Sequence, residues 1–192
     1  MVRDRSMGQD IYEEGEYHLR RMEDTAADYN LLARWLTDPR VLEYYEGRDH
    51  PFPVEQVMEH YAPRVLAEEG VIPCIMQYAG HPVGYLQFYA ADPAEYQFEG
   101  RGKVYALDLF IGQPEYWGRG IGTQFIRLLL CYLFEEKGAD WVILDPHTDN
   151  TRAIRAYEKS GFRKIKLLPR HEWHEGRYVD CWLMGIRWDQ QV

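Results

Sequence analysis

Cysteine is scarce in this 192-residue chain, with only Cys74, Cys131 and Cys181, far apart and odd in number. Without a CxxC pair they make neither a disulfide framework nor a cysteine zinc site, and they fit a reducing compartment. Long apolar runs are also missing. None approaches the ~18 residues of a spanning helix, and the N-terminus has no apolar signal core. The chain is therefore expected to be soluble and cytoplasmic, with no membrane partner. Basic residues are outnumbered, 22 Lys and Arg against 31 Asp and Glu, for a net charge of −9. The deficit lies in residues 1–100, which hold 8 basic and 19 acidic side chains, whereas residues 101–192 hold 14 and 12. Nucleic acid binding rests on basic side chains neutralising phosphates, so no nucleic-acid partner is expected, and the acidic half attracts cations instead.

What is abundant is aromatic: fifteen Tyr and six Trp, which suit either an amphipathic binding cleft or a Tyr-rich core. Residues 1–14 are polar and aperiodic and read as a flexible leader to one domain over residues 15–192. "YHLRRM" reads as a first strand. Asp24 or Thr25 can cap a helix carrying Tyr29, Leu32, Trp35 and Leu36 on one face, and "PRVLEYY" a second helix with Pro39 at its first position. "PVEQVMEHYAPRVLAEEG" is helical with an interruption at Pro63. "VIPCIMQY" and "PVGYLQFYA" flank "AGHP" as a hairpin, and "KVYALDLFIG" is a strand. Over 120–136, Ile121, Phe125, Leu128, Leu129, Tyr132 and Leu133 recur at helical spacing. "DWVILD" is a buried strand, and "NTRAIRAYEKSG" a helix that Gly161 terminates. "FRKIKLL" and "YVDCWLMGIRW" close the sheet on either side of a loop, "PRHEWHEGR". The class is α/β (α+β), with hairpins first and a β-α-β-α-β run after.

Between the "KVYALDLFIG" strand and the 120–136 helix lies "YWGRGIGT", with Gly118, Gly120 and Gly122. A glycine turn at a helix N-terminus offers unpaired N–H groups to phosphate oxygens, or it is just a tight turn. No Lys-Ser/Thr follows, so it is no P-loop, and no acidic residue ends a second strand about twenty residues on, as a dinucleotide fold requires. Within the strand before the loop, alternation puts Asp108 on the face opposite Leu107 and Leu109. A carboxylate there faces solvent at an edge, or else is held by a partner for a purpose. Histidines His171 and His174 stand at i, i+3 in "HEWHEG", but no third ligand is apparent and the HExxH spacing is absent, so no metal is expected. His18, His50, His60, His81 and His147 are scattered and receive no role.

Twenty-eight residues past Gly122 comes "NTRAIRAYEKSGF", with Asn150, Ala153, Tyr157, Gly161 and Phe162 in register. With the glycine loop, this pattern resembles the GCN5-related N-acetyltransferase (GNAT) family. "WLTDPRVLEYYEGRD", "DLFIGQPEYWGRGIGT", "VILDPHTDNTRAIRAYEKSGF" and "HEWHEG…DCWLM" together resemble its aminoglycoside 6′-N-acetyltransferases, most of all those forming one half of a bifunctional resistance enzyme. The resemblance implies a mixed, mostly antiparallel twisted sheet of about six to seven strands, flanked by helices and splayed at an acetyl-CoA site. It also implies acetyl transfer from acetyl-CoA to the 6′-amine of an aminoglycoside antibiotic, a small polycation, by direct attack in a ternary complex.

By the same resemblance Asp108 binds the reacting amine and serves as base. Tyr157 is the general acid for the leaving thiol, or else a helix residue packing inward beside Ile154. Phe110 and Ile111 pair with pantetheine through their backbone, and Gly120, Ile121, Gly122 and Thr123 cradle the pyrophosphate, with Asn150 also at the cofactor. Trp117 departs from the family, which has Gln or Arg there, so Arg119 or the N–H groups alone supply the grip. Asp145, Glu172 and Glu175 are expected to face the cationic acceptor. The chain is expected to be a monomer or homodimer. Acetylation of another amine (a siderophore hydroxylysine, a polyamine or a protein N-terminus) and a non-catalytic CoA-binding module stay open as alternatives.

Overall fold

A computed structural model describes residues 10–66 and 68–190. One sheet of eight strands runs through the molecule in the order β1-β2-β3-β4-β5-β6-β8-β7. Its strands are β1 (Asp10–Glu14), β2 (Tyr17–Arg21), β3 (Ile72–Tyr78), β4 (His81–Ala90), β5 (Val104–Ile111), β6 (Trp141–Leu144), β7 (Arg163–His174) and β8 (Arg177–Arg187). Only β5 and β6 pair in parallel; every other neighbour is antiparallel.

Alternation assigns the two faces. On one face Ile75, Tyr85 and Phe110 pack against Tyr29, Leu32 and Trp35 of α1 (Ala26–Trp35), Val41 and Leu42 of α2 (Pro39–Leu42) and Val57 and Tyr61 of α3 (Val54–Val65). On the other, Leu86, Phe88 and Leu107 meet Phe125 and Leu129 of α4 (Ile121–Cys131) and Ile154 of α5 (Thr151–Lys159). Thr25 caps α1 by accepting from the Asp28 N–H at 3.3 Å. Asn150 caps α5 through the Ala153 N–H at 3.2 Å. Past Ser160, Gly161 takes φ +99°, the left-handed conformation that ends a helix.

Four expectations change. The sheet has eight strands rather than six or seven. The extra one, β1, lies inside residues 10–14 of the expected leader; it pairs through its backbone, so a polar segment carried no apolar pattern to betray it. Residues 1–9 of that leader lie outside the described residues. Pro63 does not interrupt α3, which runs on to Val65 and gives up the one bond that Pro63 cannot donate to the Glu59 carbonyl. The "HEWH" segment is no loop: β7 continues to His174, across a register shift between Leu168 and Glu172 where Arg170 adopts φ +51°.

The splay is visible in the register. Parallel pairing joins Val104, Tyr105 and Ala106 to Trp141, Val142 and Ile143 and goes no further. β5 runs on to Ile111, still bonded to β4 on its other side through the pair Gly84 and Ile111. The backbone of residues 107–111 is thereby left without a strand partner on one side, at the point where α4 and α5 begin.

Candidate active site

A cavity of about 750 Å³ opens in that splay, lined by the end of β5, the glycine loop, the start of α5, the Leu144–His147 segment and residues 171–173 of β7. Asp108 lies in its wall, half-buried, on the α3 face as alternation requires. The Gln87 side-chain amide, opposite it on β4, donates to Asp108 Oδ2 at 2.8 Å. Burial pushes the Asp108 carboxyl up to about 6, against the Gln87 hydrogen bond; the Asp145 and Glu172 charges add to the rise, and Arg64 opposes it. Asp108 is thus still ionised at neutral pH, yet is a better base than an ordinary carboxylate. Tyr157 also lines the cavity and is buried, and burial raises its hydroxyl well above the usual phenol range, with Asp108 and Asp145 adding to this. It keeps its proton until a stronger base appears. Packing inward and acting as a proton donor are therefore compatible.

The glycine loop forms the second wall. Gly118 (φ +71°) and Gly120 (φ +78°) are left-handed, and a Cβ on either would meet nothing within 4 Å. They serve the turn and leave an open concavity at the α4 N-terminus, whose first N–H groups lack helical partners. Gly118, Gly120, Ile121, Gly122 and Thr123 all line the cavity. Trp117 does so too, but its indole N–H donates to the Ile111 carbonyl at 2.8 Å, bracing the loop on β5. Above that indole the Arg152 guanidinium stacks 3.8 Å from the ring centroid. Arg119 stacks on Tyr116 instead and is not among the lining residues; the cations at this mouth are Arg152, Arg155 and Lys159 of α5. Open glycines, a helix N-terminus, three cations and an unpaired strand edge fit a phosphorylated, amide-bearing cofactor such as acetyl-CoA.

The third wall is acidic. Asp145 Oδ2 bonds His171 Nε2 at 2.9 Å, and this bond raises the His171 pKa against its burial. Glu172 bonds His147 Nε2 at 2.9 Å. Burial alone would raise Glu172, but that bond, with the charges of His147, His174 and His171, holds it below the usual range. His147, buried and without a role in the sequence reading, thus joins Glu172 and His174 in one group whose potential ligand atoms lie within 4.8 Å. Hydrogen bonds already engage it, since His174 Nε2 donates to the Glu43 carbonyl at 2.9 Å. Glu175 departs from expectation: Arg48 holds both its oxygens, and it is not among the lining residues. In its place Glu46, from the loop after α2, lines the cavity with a non-glycine φ of +68°.

Residues 24–169 match the family described as acetyltransferase (GNAT) domain. The chain belongs to the GNAT acetyltransferase family. The aminoglycoside N(6′)-acetyltransferase type 1 of Klebsiella pneumoniae is 34% identical over 143 residues, 73% of this chain and 71% of that protein. The N(6)-hydroxylysine O-acetyltransferase of Escherichia coli is 27% identical over 165 residues, 82% of this chain and 51% of that protein. The crystal structure of aminoglycoside acetyltransferase AAC(6′)-Ib in complex with coenzyme A and kanamycin aligns with a TM-score of 0.72 and 28% identity, covering 91% of this chain and 96% of that chain.

In this GNAT acetyltransferase, Asp108, Phe110, Ile111, Trp117, Gly120, Ile121, Gly122, Thr123, Asp145, Asn150, Tyr157 and Glu172 gather around one cavity, while Arg119 and Glu175 do not. Sequence reasoning missed Glu46, Arg64, Gln87, His147 and Arg152. Gln87 had a faint signal, being a polar residue in the apolar run "GYLQFYA". The others become neighbours of the site only through contacts between distant segments. Among the described residues no helix is long and apolar enough to cross a membrane.

Proposed function

We propose that this GNAT acetyltransferase moves the acetyl group of acetyl-CoA to the 6′-amine of an aminoglycoside antibiotic and so confers resistance to it. The observation that carries this reading is the cavity itself. An open glycine cradle with three cations meets, at Asp108, a wall bearing Glu46, Asp145 and Glu172. One end suits an anionic cofactor and the other a polycation. Likeness to proteins named for aminoglycoside acetylation supports the substrate class.

Bound along the open edge of β5, acetyl-CoA supplies the acetyl thioester. Asp108 Oδ1, left free while Oδ2 holds Gln87, orients the acceptor ammonium and takes a proton from it. The freed amine forms the C–N bond as the C–S bond breaks, and Tyr157 gives its proton to the departing sulfur. Asp108 passes this first proton to water, and the second proton, which the nitrogen sheds once the C–N bond has formed, returns through solvent to Tyr157. The Leu109 backbone and the Ile111 N–H point to the side where β5 has no strand partner and fix the cofactor's amides there; the Phe110 backbone faces β4 instead, and the Ile111 carbonyl already accepts from Trp117. No charge on the chain need change over a full cycle.

The experiment is thiol release from acetyl-CoA with kanamycin, spermidine, N-hydroxylysine and a peptide panel as acceptors. Release with kanamycin at least a hundredfold faster than with the others is expected. Release only with spermidine, with N-hydroxylysine or with the peptides transfers the assignment to that acceptor class. Coenzyme A binding with no release for any acceptor makes the chain a binding module.

A further inference from the structure

Among the described residues lining the acidic side of this cavity, Arg64 is the one arginine or lysine. Its guanidinium, in the last turn of α3, lies 5.1 Å from the Tyr61 ring centroid, and its Nε donates to Glu69 at 3.4 Å. Its Nη1 donates to Gln87 Oε1 at 3.0 Å, and the Tyr85 hydroxyl donates to the same oxygen at 2.8 Å. Gln87 is 7% exposed. Both lone pairs of its amide oxygen are therefore occupied. Turning the amide over would set its NH2 group against the Arg64 guanidinium, which cannot accept, so the NH2 faces Asp108, where Nε2 donates at 2.8 Å.

We propose that Arg64 is a positioning residue for acetyl transfer: through the Gln87 amide it fixes which oxygen of Asp108 is committed and which is presented to the acceptor. This rests on Asp108 being the base, as in the function proposed above. The placement is otherwise paradoxical, because a permanent cation among Glu46, Asp108, Asp145 and Glu172 repels the polycation those carboxylates attract. A cation that cost acceptor affinity and returned nothing would have no purpose here. What it returns is the orientation of Asp108 and, by its charge, help in keeping that carboxyl ionised against burial.

The groups facing Asp108 from each neighbouring element are Gln87 and Tyr89 of β4, Tyr61 and Arg64 of α3, Tyr45 and Glu46 after α2, Tyr96 after β4, Asp145 after β6, Tyr157 of α5 and Glu172 of β7. His171 and His147 stand behind Asp145 and Glu172 as their partners. All five tyrosines are shifted upward by burial and stay neutral, so at Asp108 it is Arg64 whose positive charge opposes the neighbouring carboxylates.

The test compares wild type, Arg64→Met, Arg64→Lys, Gln87→Met and the Arg64→Met/Gln87→Met double variant, each checked for folding by circular dichroism. With kanamycin, Arg64→Met is expected to lower kcat at pH 7 about tenfold, leave KM unchanged or lower, and move the acid limb of kcat/KM to higher pH. Arg64→Lys, which keeps one donor and the charge, recovers most of kcat. With Gln87 already replaced, Arg64→Met costs little more, because the two act in series. Carboxyl 13C titration of Asp108, identified by its loss in Asp108→Asn, is expected to move to higher pH in Arg64→Met without any acceptor present. Wild-type kcat with an unmoved Asp108 titration, or losses that simply multiply in the double variant, would overturn the proposal. If Arg64→Met does not fold, the Arg64→Lys and Gln87→Met pair decides, since recovery in the former and loss in the latter are both required. An inactive wild type would defeat the functional assignment, and the titration would still decide the role of Arg64.

Discussion

Arg48 holds both oxygens of Glu175 across 127 residues of chain, with Nε on Oε1 at 2.6 Å, Nη2 on Oε2 at 2.7 Å and its own backbone N–H on Oε1 at 2.9 Å. The bond from His174 to the Glu43 carbonyl lies beside it, so the β7–β8 tip is fastened to the loop after α2. These two segments carry Glu172 and Glu46, and fastening them fixes the acidic wall.

Breaking that tie should loosen the wall without unfolding the protein. Arg48→Ala is expected to raise the acceptor KM about three- to tenfold with kcat nearly unchanged, as lost uniform binding does. The pair is solvent-exposed, so the melting temperature should hardly move. Hydrogen exchange at residues 174–178 reports the change directly, as faster exchange confined to that tip. The Arg48 hydrogen bond holds the Glu175 carboxyl down to about 2, so the tie survives throughout the physiological range and is lost only as pH falls through that value.

Trp117 braces the glycine loop rather than gripping phosphate. Trp117→Phe removes the 2.8 Å bond to Ile111 and weakens the platform beneath Arg152. A rise of about fivefold in the acetyl-CoA KM is expected, with the acceptor KM unchanged, by initial-rate kinetics varying each substrate in turn. An effect on the acceptor KM alone would contradict this role.

Asp108 should trade stability for activity. Its folded pKa, about 6, lies above the unfolded value, so its contribution to stability is fully present below ~4 and is lost as pH rises through 6. Asp108→Asn is accordingly expected to be more stable than wild type by up to about 3 kcal/mol at pH 8, with the difference shrinking toward pH 4. Urea denaturation at both pH values measures it, and kcat should fall by at least a hundredfold.

Gly84 is where β4 approaches β5 too closely for a side chain. A Cβ there would lie 2.4 Å from the Phe110 carbonyl oxygen and 3.0 Å from the Ile111 Cα. These are backbone atoms of the strand that carries Asp108 and cannot yield without moving the site. Gly84→Ala is expected to destabilise by about 3 kcal/mol, measured by chemical denaturation, and to lower activity in whatever fraction stays folded.

The parts of this site legible in the sequence are those written within one element. The glycine loop announces itself by spacing, α5 by its Asn cap and terminal glycine, and Asp108 by standing among alternating apolar neighbours. Residues 171–174 read as a loop because β7 is an edge strand with a register shift at Arg170 and Pro169 nearby, and so carries no alternation. Glu175 reads as facing the acceptor because the partner that holds it, Arg48, lies 127 residues away. Arg64, Gln87 and Asp108 sit on three different elements, and their hydrogen-bonded chain exists only once α3 closes over β4. A carboxylate in a strand is visible in one sequence; what determines its orientation is not.

The central claim is most directly tested with two aminoglycosides that differ only in carrying an amine or a hydroxyl at 6′, assayed by thiol release and by NMR of the product. Acetylation at the 6′-nitrogen of the first, at least a hundredfold faster than any transfer to the second, is the predicted result. Acetylation of the amine-bearing drug at another position, or equal rates for the pair, would contradict it.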